Sequence, residues 1–334
     1  MLKSLTAKFK KNPSTYYAMS IAATWANAGS LLNGITIARS SGTIPFVLWA
    51  IGNTLACIVF GIFAPAIPNL RDVFRSRPMQ FVMGIMCPFQ CWISMNGIHT
   101  VFASTVFGPN SGAIIALAFA VFFIVLLYRF GMIRNVLSDH ISWSMVYIII
   151  ALLSIVTIIA ARGNTTIPHL GTENMSDGIK NCILLIPGAF LYPYYYSLLD
   201  YNDKNNDGTA NINIRRAFIS GGIIFGIYLL FVFVMSLAEL SPVLNIVYAV
   251  LVTLVAVSSL SSFQHSIYLT FGRKMGLTLN ILTAALWQLL IPLGVMGAWT
   301  LMASIRIYIV CSAVAAAIAW HLIDMKKAVA ACRR

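Results

Sequence analysis

A cluster of hydroxyl side chains inside an apolar stretch is the feature of this sequence most able to do chemistry. Residues 257–264 read Val-Ser-Ser-Leu-Ser-Ser-Phe-Gln and lie within an apolar segment at 243–270. Two other apolar segments, 15–38 and 181–201, are interrupted in their middle by asparagine, glycine or proline. Backbone carbonyls freed by such interruptions, together with neutral hydroxyl oxygens, can replace the water shell of a small hard cation such as sodium. The pattern therefore predicts a cation site held by neutral oxygens.

The interrupted segments decide how the serines are interpreted. For an isolated pair of serines in a bilayer helix, donation to the carbonyl one turn earlier is the more common explanation. An unwound backbone, however, is tolerated in lipid only where it lines a protected cavity. Interruptions at matching positions in two halves of a chain point to the binding site of a secondary transporter.

The composition places the chain in a membrane. Of its 334 residues, 59% are hydrophobic and 9% are charged, whereas soluble domains carry about 25% charged residues. A membrane-spanning helix needs about 20 mostly apolar residues. Ten apolar segments meet this length approximately, at 15–38, 43–66, 79–104, 112–130, 141–161, 181–201, 217–238, 243–270, 276–298 and 304–323. Because the loops between them are short, we expect an all-α integral membrane protein with one transporter domain, 1–334.

The basic residues indicate the orientation of the chain. With a cytoplasmic N-terminus, all but four of the 22 lysines and arginines lie on the cytoplasmic side; the exceptions are Arg39, Arg162, Lys180 and Arg306. The positive-inside rule then predicts a multi-pass protein of the cell membrane (inner or plasma membrane) with both termini in the cytoplasm. The net charge of +13 is interpreted as this signal and as a contact for anionic lipid on the cytoplasmic face. No basic stripe with interleaved aromatic residues is present, so no nucleic-acid partner is expected.

The positions of the acidic residues indicate whether a carboxylate could bind the coupling ion. All nine fall at or beyond the ends of the ten segments, which avoids a cost of about 2.5–3.5 kcal/mol for a charge at the bilayer centre. The sequence therefore predicts no buried carboxylate. No nucleophile–base–acid set, phosphate loop or zinc motif is found either, so we expect no enzyme and no cofactor besides a coupling ion.

Two motifs resemble one transporter family. Residues 257–262, followed by 267–274 at the end of the segment, resemble the eighth core helix of the sodium/solute symporter family. Residues 29–34, Gly-Ser-Leu-Leu-Asn-Gly, are similar to the Gly-x-Leu-Leu-x-Gly stretch that follows the helix break in that family. The resemblance implies the LeuT-type fold, a minimal core of about ten transmembrane helices in two inverted repeats, 15–161 and 181–323. Helices 1 and 6 of this fold are discontinuous.

The resemblance also implies site residues. The family's sodium site would take side-chain oxygens from Ser258 and Ser259. Backbone carbonyls would complete it, from Thr24, Asn27 and Val255. The substrate would lie beside the ion, and its candidate contacts are Asn27, Ser30, Asn33, Gln90, Ser94, Asn96, Tyr192, Tyr195 and Tyr196. Two departures from the family concern the substrate class and the ion affinity: tyrosines at 194–196 replace an Asn/Gln-rich end with an arginine, and segment 141–161 contains no acidic residue.

These features predict a secondary active transporter that couples sodium to the symport of a small polar organic solute by alternating access. Its expected partners are the sodium ion, the solute and the lipid bilayer. Two alternatives remain open. One is a sodium-independent carrier of the nucleobase or amino-acid type with the same fold. The other is a transport-inactive membrane sensor or interaction protein.

Overall fold

A computed structural model describes residues 13–130, 132–161, 169–204, 213–238, 244–290 and 295–332. These residues are almost entirely helical, and none of them forms a β-strand. The α-helices, in chain order, are α1 (Pro13–Trp25), α2 (Ala28–Ser40), α3 (Thr43–Phe63), α4 (Leu70–Arg75), α5 (Arg77–Ala103), α6 (Gly108–Phe130), α7 (Met132–Ala161), α8 (Met175–Leu185), α9 (Pro193–Lys204), α10 (Ile214–Met235), α11 (Asn245–Leu290) and α12 (Val295–Cys332). Two 3₁₀ turns, Thr172–Asn174 and Ile186–Leu191, flank α8.

Seven of the described helices are long and apolar enough to cross a membrane: α3, α5, α6, α7, α10, α11 and α12. The pair Thr172–Leu191 and Pro193–Leu199 is bent by 58° and makes an eighth span if it is counted as one. These lengths and compositions are those of a multi-pass, all-α membrane protein.

The observed helices agree with the ten apolar segments in two places and differ in a third. The predicted segments 243–270 and 276–298 fall largely in the two parts of α11, which meet at a kink where Gly272 is not helical, with φ 73° and ψ 179°. The first segment is divided, as expected, into α1 and α2, each 13 residues long and too short to span a bilayer alone. Helix α7 begins at Met132 rather than at residue 141, which brings Asp139 inside the helix.

The first interruption follows from the chemistry of Asn27. Its backbone is extended, with φ −114° and ψ 174°, and its side-chain oxygen accepts the Ser30 N–H at 3.0 Å. An asparagine in this position satisfies an amide in the first turn of the helix that follows it, so α2 begins afresh at Ala28. The interruption expected in segment 15–38 is therefore present at Ala26 and Asn27.

The second interruption follows from two prolines. The 3₁₀ turn that contains Pro187 follows α8, and Pro193 begins α9. Proline has no N–H to continue a helix, and it biases the preceding residue toward an extended backbone. Tyr192 has this conformation, with φ −104° and ψ 105°. Segment 181–201 is therefore broken between Leu185 and Pro193, as its sequence predicted.

The two halves of the chain pack on each other in matching pairs. Helix α5, from the third segment, shares its most extensive contact with α11, which contains the eighth and ninth segments, and α3 packs on α10, from the second and seventh. The first part of each broken segment packs on the other half: α1 on α10, and α8 on α3. The last two contacts are equivalent to each other when the segments are shifted by five.

Candidate functional site

A cavity of about 120 Å³ lies beside the first interruption. Its wall combines side chains from both broken segments with others from α3, α5 and α12: Trp25, Asn27, Gly29, Ser30, Asn33, Trp49, Asn53, Gln90, Leu185, Tyr192 and Arg306. Five of the nine predicted substrate contacts belong to this wall, namely Asn27, Ser30, Asn33, Gln90 and Tyr192.

A chain of hydrogen bonds joins the two interruptions across this cavity. The Asn27 Nδ2 group donates to Gln90 Oε1 at 3.3 Å, and the Gln90 Nε2 group donates to the Tyr192 hydroxyl at 3.3 Å. Gln90 lies on α5 and is buried. A single amide therefore links the break before α2 to the break before α9.

The indole of Trp25 is fixed on the other side of the cavity. Its Nε1–H donates to Asn53 Oδ1 at 3.1 Å, and the Asn53 amide donates to the Trp49 carbonyl at 2.9 Å. The Trp25 ring also lies 5.3 Å from the ring of Tyr192, between centroids. Asn53 was not among the predicted site residues; the signal in the sequence was a lone amide inside the apolar segment 43–66.

Arg306 is the charged residue in the cavity wall. It was predicted to lie on the outer membrane side, whereas in the structure it is buried on α12, with 5% of its surface exposed. A side chain at Gly188 would come within 2.8 Å of Arg306 Nη1 and within 2.8 Å of the Trp25 ring. The glycine of the second interruption thus leaves space for both groups.

Three cavities follow one another along the sixth segment. A cavity of about 400 Å³ is lined by Lys180 and Leu184, and it shares Leu185 with the small cavity. A third, of about 220 Å³, begins at Pro193 and extends past Tyr196. The small cavity therefore lies between a larger opening on one side and a separate space on the other.

Aromatic rings close the path between the small cavity and the third one. The ring of Tyr192 packs on Phe263 with 4.9 Å between centroids and on Tyr195 with 5.5 Å. All three side chains are buried. The three cavities thus form a path that is open on one side of Tyr192 and closed on the other.

A second polar region joins α1, α7 and α11. The Ser20 hydroxyl donates to Asp139 Oδ2 at 2.5 Å, and the Ser258 hydroxyl also contacts this carboxylate. The hydroxyls of Ser258 and Ser142 lie 2.8 Å apart, and Ser20 lies 2.9 Å from the hydroxyl of Tyr194. We call this set of five residues the acidic junction.

The acidic junction corrects the prediction that the chain has no buried carboxylate. Asp139 is 1% exposed, and no lysine or arginine in the described ranges forms an ion pair with it. The prediction was wrong because segment 141–161 was started too late, so Asp139 was assigned to a loop.

A neighbouring contact ties α1 to α11 one turn further along each helix. The hydroxyls of Thr24 and Ser262 lie 2.8 Å apart. Asn135 of α7 lies 3.5 Å from Ser262 and also accepts a hydrogen bond from Ser261. Residues spaced by four lie on one helix face, so Ser20 and Thr24 on α1 face Ser258 and Ser262 on α11.

The five predicted sodium ligands occupy different parts of this region. Ser258 points to α7, whereas the Ser259 hydroxyl lies 2.8 Å from Ser94 on α5. The Asn27 carbonyl accepts the Ser30 N–H at 2.9 Å and the Ser30 hydroxyl at 2.7 Å. Val255 is buried on α11, one turn before Ser258 and Ser259.

Thr24 is the predicted ligand that lies directly before the first interruption. α1 ends at Trp25, and Ala26 and Asn27 belong to neither α1 nor α2. Ala23 and Thr24 are fully buried. Buried carbonyls of this kind are suited to ion coordination.

The other predicted substrate contacts lie outside the small cavity. Ser94 is paired with Ser259, and Asn96 lies half-buried further along α5. The Tyr195 hydroxyl donates to the Ile21 carbonyl at 2.9 Å, and Tyr196 lines the third cavity.

Within the described ranges, no group of three His, Cys, Asp or Glu residues could hold a metal ion. No protein-family model matches the sequence, and no curated protein matches it significantly.

Proposed function

We propose that this protein is a secondary transporter that couples sodium to the movement of a small polar solute by alternating access. The observation that carries the proposal is the meeting of two interrupted segments beside one polar cavity, through Asn27, Gln90 and Tyr192. Unwound backbone in a membrane protein is found where it is sheltered by protein or lines a cavity, and paired interruptions are typical of transporter binding sites.

The LeuT-type inverted repeat is part of this proposal. It is supported by the matching contacts of α1 on α10 and of α8 on α3. In such a fold, the two broken segments, α3 and α10 move as a bundle against the remaining helices. The resemblance of residues 29–34 and 257–262 to the sodium/solute symporter family agrees with this arrangement.

The acidic junction is the proposed cation site. A carboxylate within a membrane protein is costly and marks ion pathways. Asp139 and Ser258 supply oxygens from two helices of the static part, and Ser20 supplies one from the moving bundle. The backbone carbonyl of Thr24 lies one turn away on α1, near the end of that helix. A sodium ion bound here would hold α1 against α7 and α11.

The series of cavities corresponds to one step of the transport cycle. With both termini in the cytoplasm, the 400 Å³ cavity faces outward and the space beside Tyr196 faces inward. The closed layer at Tyr192 and Phe263 then separates the solute site from the cytoplasm. This is the outward-open state, in which sodium and solute enter.

Uptake into proteoliposomes tests the proposal. We expect an inward sodium gradient to drive uptake of at least one solute from a panel of small polar compounds, and we expect choline to abolish it. Ser258→Ala should reduce sodium-driven uptake. Ser266→Ala is the matched control on the same helix, because the Ser266 hydroxyl donates to the Ser262 carbonyl at 3.0 Å and also contacts the Cys87 thiol, both outside the acidic junction. Uptake that is equal in sodium and choline would contradict sodium coupling, and no uptake across the panel would contradict transport.

A further inference from the structure

We infer that the solute is recognised through a carbonyl or carboxylate oxygen, which accepts a hydrogen bond from the Tyr192 hydroxyl in the small cavity. This inference rests on the proposed transport function and specifies the chemical class of its substrate. It follows from the direction of the hydrogen-bonded chain that runs from Asn27 through Gln90 to Tyr192.

The backbone of α2 fixes the direction of this chain. The N–H of Ser30 can only donate, and it donates to Asn27 Oδ1 at 3.0 Å. Because this bond distinguishes the oxygen of the Asn27 amide from its nitrogen, the Nδ2 group faces Gln90. The Asn27 Nδ2 group donates to Gln90 Oε1, which leaves the Gln90 Nε2 group to donate to the Tyr192 hydroxyl. Each amide therefore accepts on the side of α2 and donates on the side of α9.

Tyr192 is the last member of the chain, and its own hydrogen is not used within it. The hydroxyl oxygen accepts from Gln90, and the O–H group donates to no described residue. The side chain is 5% exposed and lines the small cavity. A buried donor without an acceptor is costly, so a solute that brings an acceptor gains affinity there. A solute that brings only donors leaves the hydroxyl unpaired and is rejected.

The amides of the chain add further donors to the same wall. An amide nitrogen carries two hydrogens, and Asn27 and Gln90 each use one of them in the chain. A carbonyl or carboxylate oxygen has two lone pairs and no hydrogen, so it can accept from Tyr192 and from a second donor at once. The amide of Asn33 makes no hydrogen bond with a described residue and can present either its oxygen or its nitrogen. Asn33 therefore adapts to the solute and does not set the polarity of the site.

The aromatic rings of the cavity would, by themselves, suit the opposite class of solute. Trp25, Trp49 and Tyr192 line the cavity, and the faces of such rings attract ammonium groups. An ammonium group has hydrogens but no lone pair, so it cannot accept a hydrogen bond from the Tyr192 hydroxyl. The rings therefore contact the apolar body of the solute, and the solute oxygen lies against Tyr192.

Thermal unfolding of the purified protein in detergent and sodium chloride tests the inference. The probes are acetamide, propionamide and benzamide, each compared with the amine of the same carbon skeleton: ethylamine, propylamine and benzylamine, all of them ammonium ions at neutral pH. The sodium salts of acetate and benzoate, at equal total sodium, separate a carboxylate from a neutral carbonyl. We expect at least one amide or carboxylate to raise the unfolding midpoint and the amines to have no effect.

Two variants test the role of the chain. Tyr192→Phe removes only the hydroxyl, and it should weaken a neutral probe by roughly threefold to tenfold and a carboxylate by more. Gln90→Glu reverses the chain, because a carboxylate can only accept, and the Tyr192 hydroxyl then donates to it rather than to the solute. In this variant the carbonyl probes should lose their effect and an amine should gain one. The matched control is Tyr268→Phe, at a half-buried tyrosine of α11 that lines none of the three cavities, and it should leave the affinity unchanged.

The outcomes separate this inference from the proposed function. An equal shift with the amines, a shift with the amines alone, or no shift with any probe would overturn the assignment. Affinity that is unchanged in folded Tyr192→Phe and Gln90→Glu variants, judged by size-exclusion chromatography, would also overturn it. Sodium-driven uptake of an ammonium solute would leave the transporter proposal intact while the carbonyl assignment falls. A carbonyl-dependent shift that Tyr192→Phe weakens, without any gradient-driven uptake, would uphold the recognition and contradict transport.

Discussion

The hydroxyl of Ser20 donates to the carboxylate of Asp139 at 2.5 Å, and it thereby joins the first helix of the chain to α7. Ser20 lies in the half of the first segment that precedes the interruption, and Asp139 lies near the start of its own helix. If sodium binds at the acidic junction, as proposed, it would hold α1 more firmly against α7 than the empty junction does.

Replacing Asp139 by asparagine is expected to abolish the effect of sodium on stability. The amide keeps the shape and hydrogen-bonding capacity of the side chain but removes the charge that attracts a cation. Because an isolated buried charge is costly, the variant in choline should be at least as stable as the wild type. The measurement is the thermal unfolding midpoint in sodium chloride against choline chloride, with Ser266→Ala as the control that keeps the sodium response. A sodium-dependent shift that persists in Asp139→Asn would remove the carboxylate from the proposed cation site.

Replacing Gln90 by leucine should destabilise the protein by about 1–3 kcal/mol. The side chains of Asn27 and Tyr192 then lose their shared partner inside the cavity. Gln80→Leu, on the same helix but at the third cavity, is the matched control and should have a smaller effect. Chemical unfolding followed by tryptophan fluorescence gives both values. Equal effects of the two variants would show that the hydrogen-bonded chain adds little.

Cysteine labelling should reveal which cavity is open. Asn33 lines both the small cavity and its larger neighbour, whereas Gln80 lines the third. On a background in which the six native cysteines are replaced, Asn33→Cys should react with a membrane-impermeant thiol reagent from outside, and Gln80→Cys should not. Inside-out vesicles should reverse the pattern for Gln80→Cys. Labelling of both positions from the same side would contradict the order of the cavities.

The contact between α2 and α5 should tolerate an exchange of the glycine and the alanine between the two helices, but not a second alanine. A side chain at Gly97 would overlap that of Ala28, the first residue of α2. Gly97→Ala alone should therefore cost about 1–3 kcal/mol of unfolding free energy through overpacking. The double variant Gly97→Ala with Ala28→Gly should recover much of this loss, because the two positions are in contact. Simple additivity of the two changes in an unfolding measurement would show that α2 is positioned by other residues.

Much of the backbone could be predicted from local sequence. Asn27, Pro187 and Pro193 each impose a conformation on their own neighbours, so both interruptions were visible without tertiary information. The start of α7 was not, because Asp139 and the polar residues beside it look like loop residues until their partners are known. Those partners, Ser20 and Ser258, are more than 100 residues away in sequence.

The site residues also divide into those that local sequence predicts and those that it does not. Gln90 and Tyr192 were predicted because they lie near the middle of interrupted or polar segments. Arg306 was not, because a basic residue near the end of an apolar segment normally marks the membrane face. The resemblance assigns Ser258 and Ser259 to one sodium site, but the two side chains point in different directions. Neighbouring residues are about 100° apart around a helix, so Ser258 faces α7 and Ser259 faces α5.

The 3₁₀ turn Ile186–Leu191 has a mechanical consequence for the path through the protein. A 3₁₀ turn rises about 2.0 Å per residue and an α-helix about 1.5 Å, so rewinding six residues would shorten this stretch by about 3 Å. It would also rotate Tyr192 by about 120° relative to Leu185, since the two helix types differ by about 20° per residue. Leu185 borders the opening and Tyr192 borders the closed layer, so one local change of winding would move both boundaries of the small cavity together.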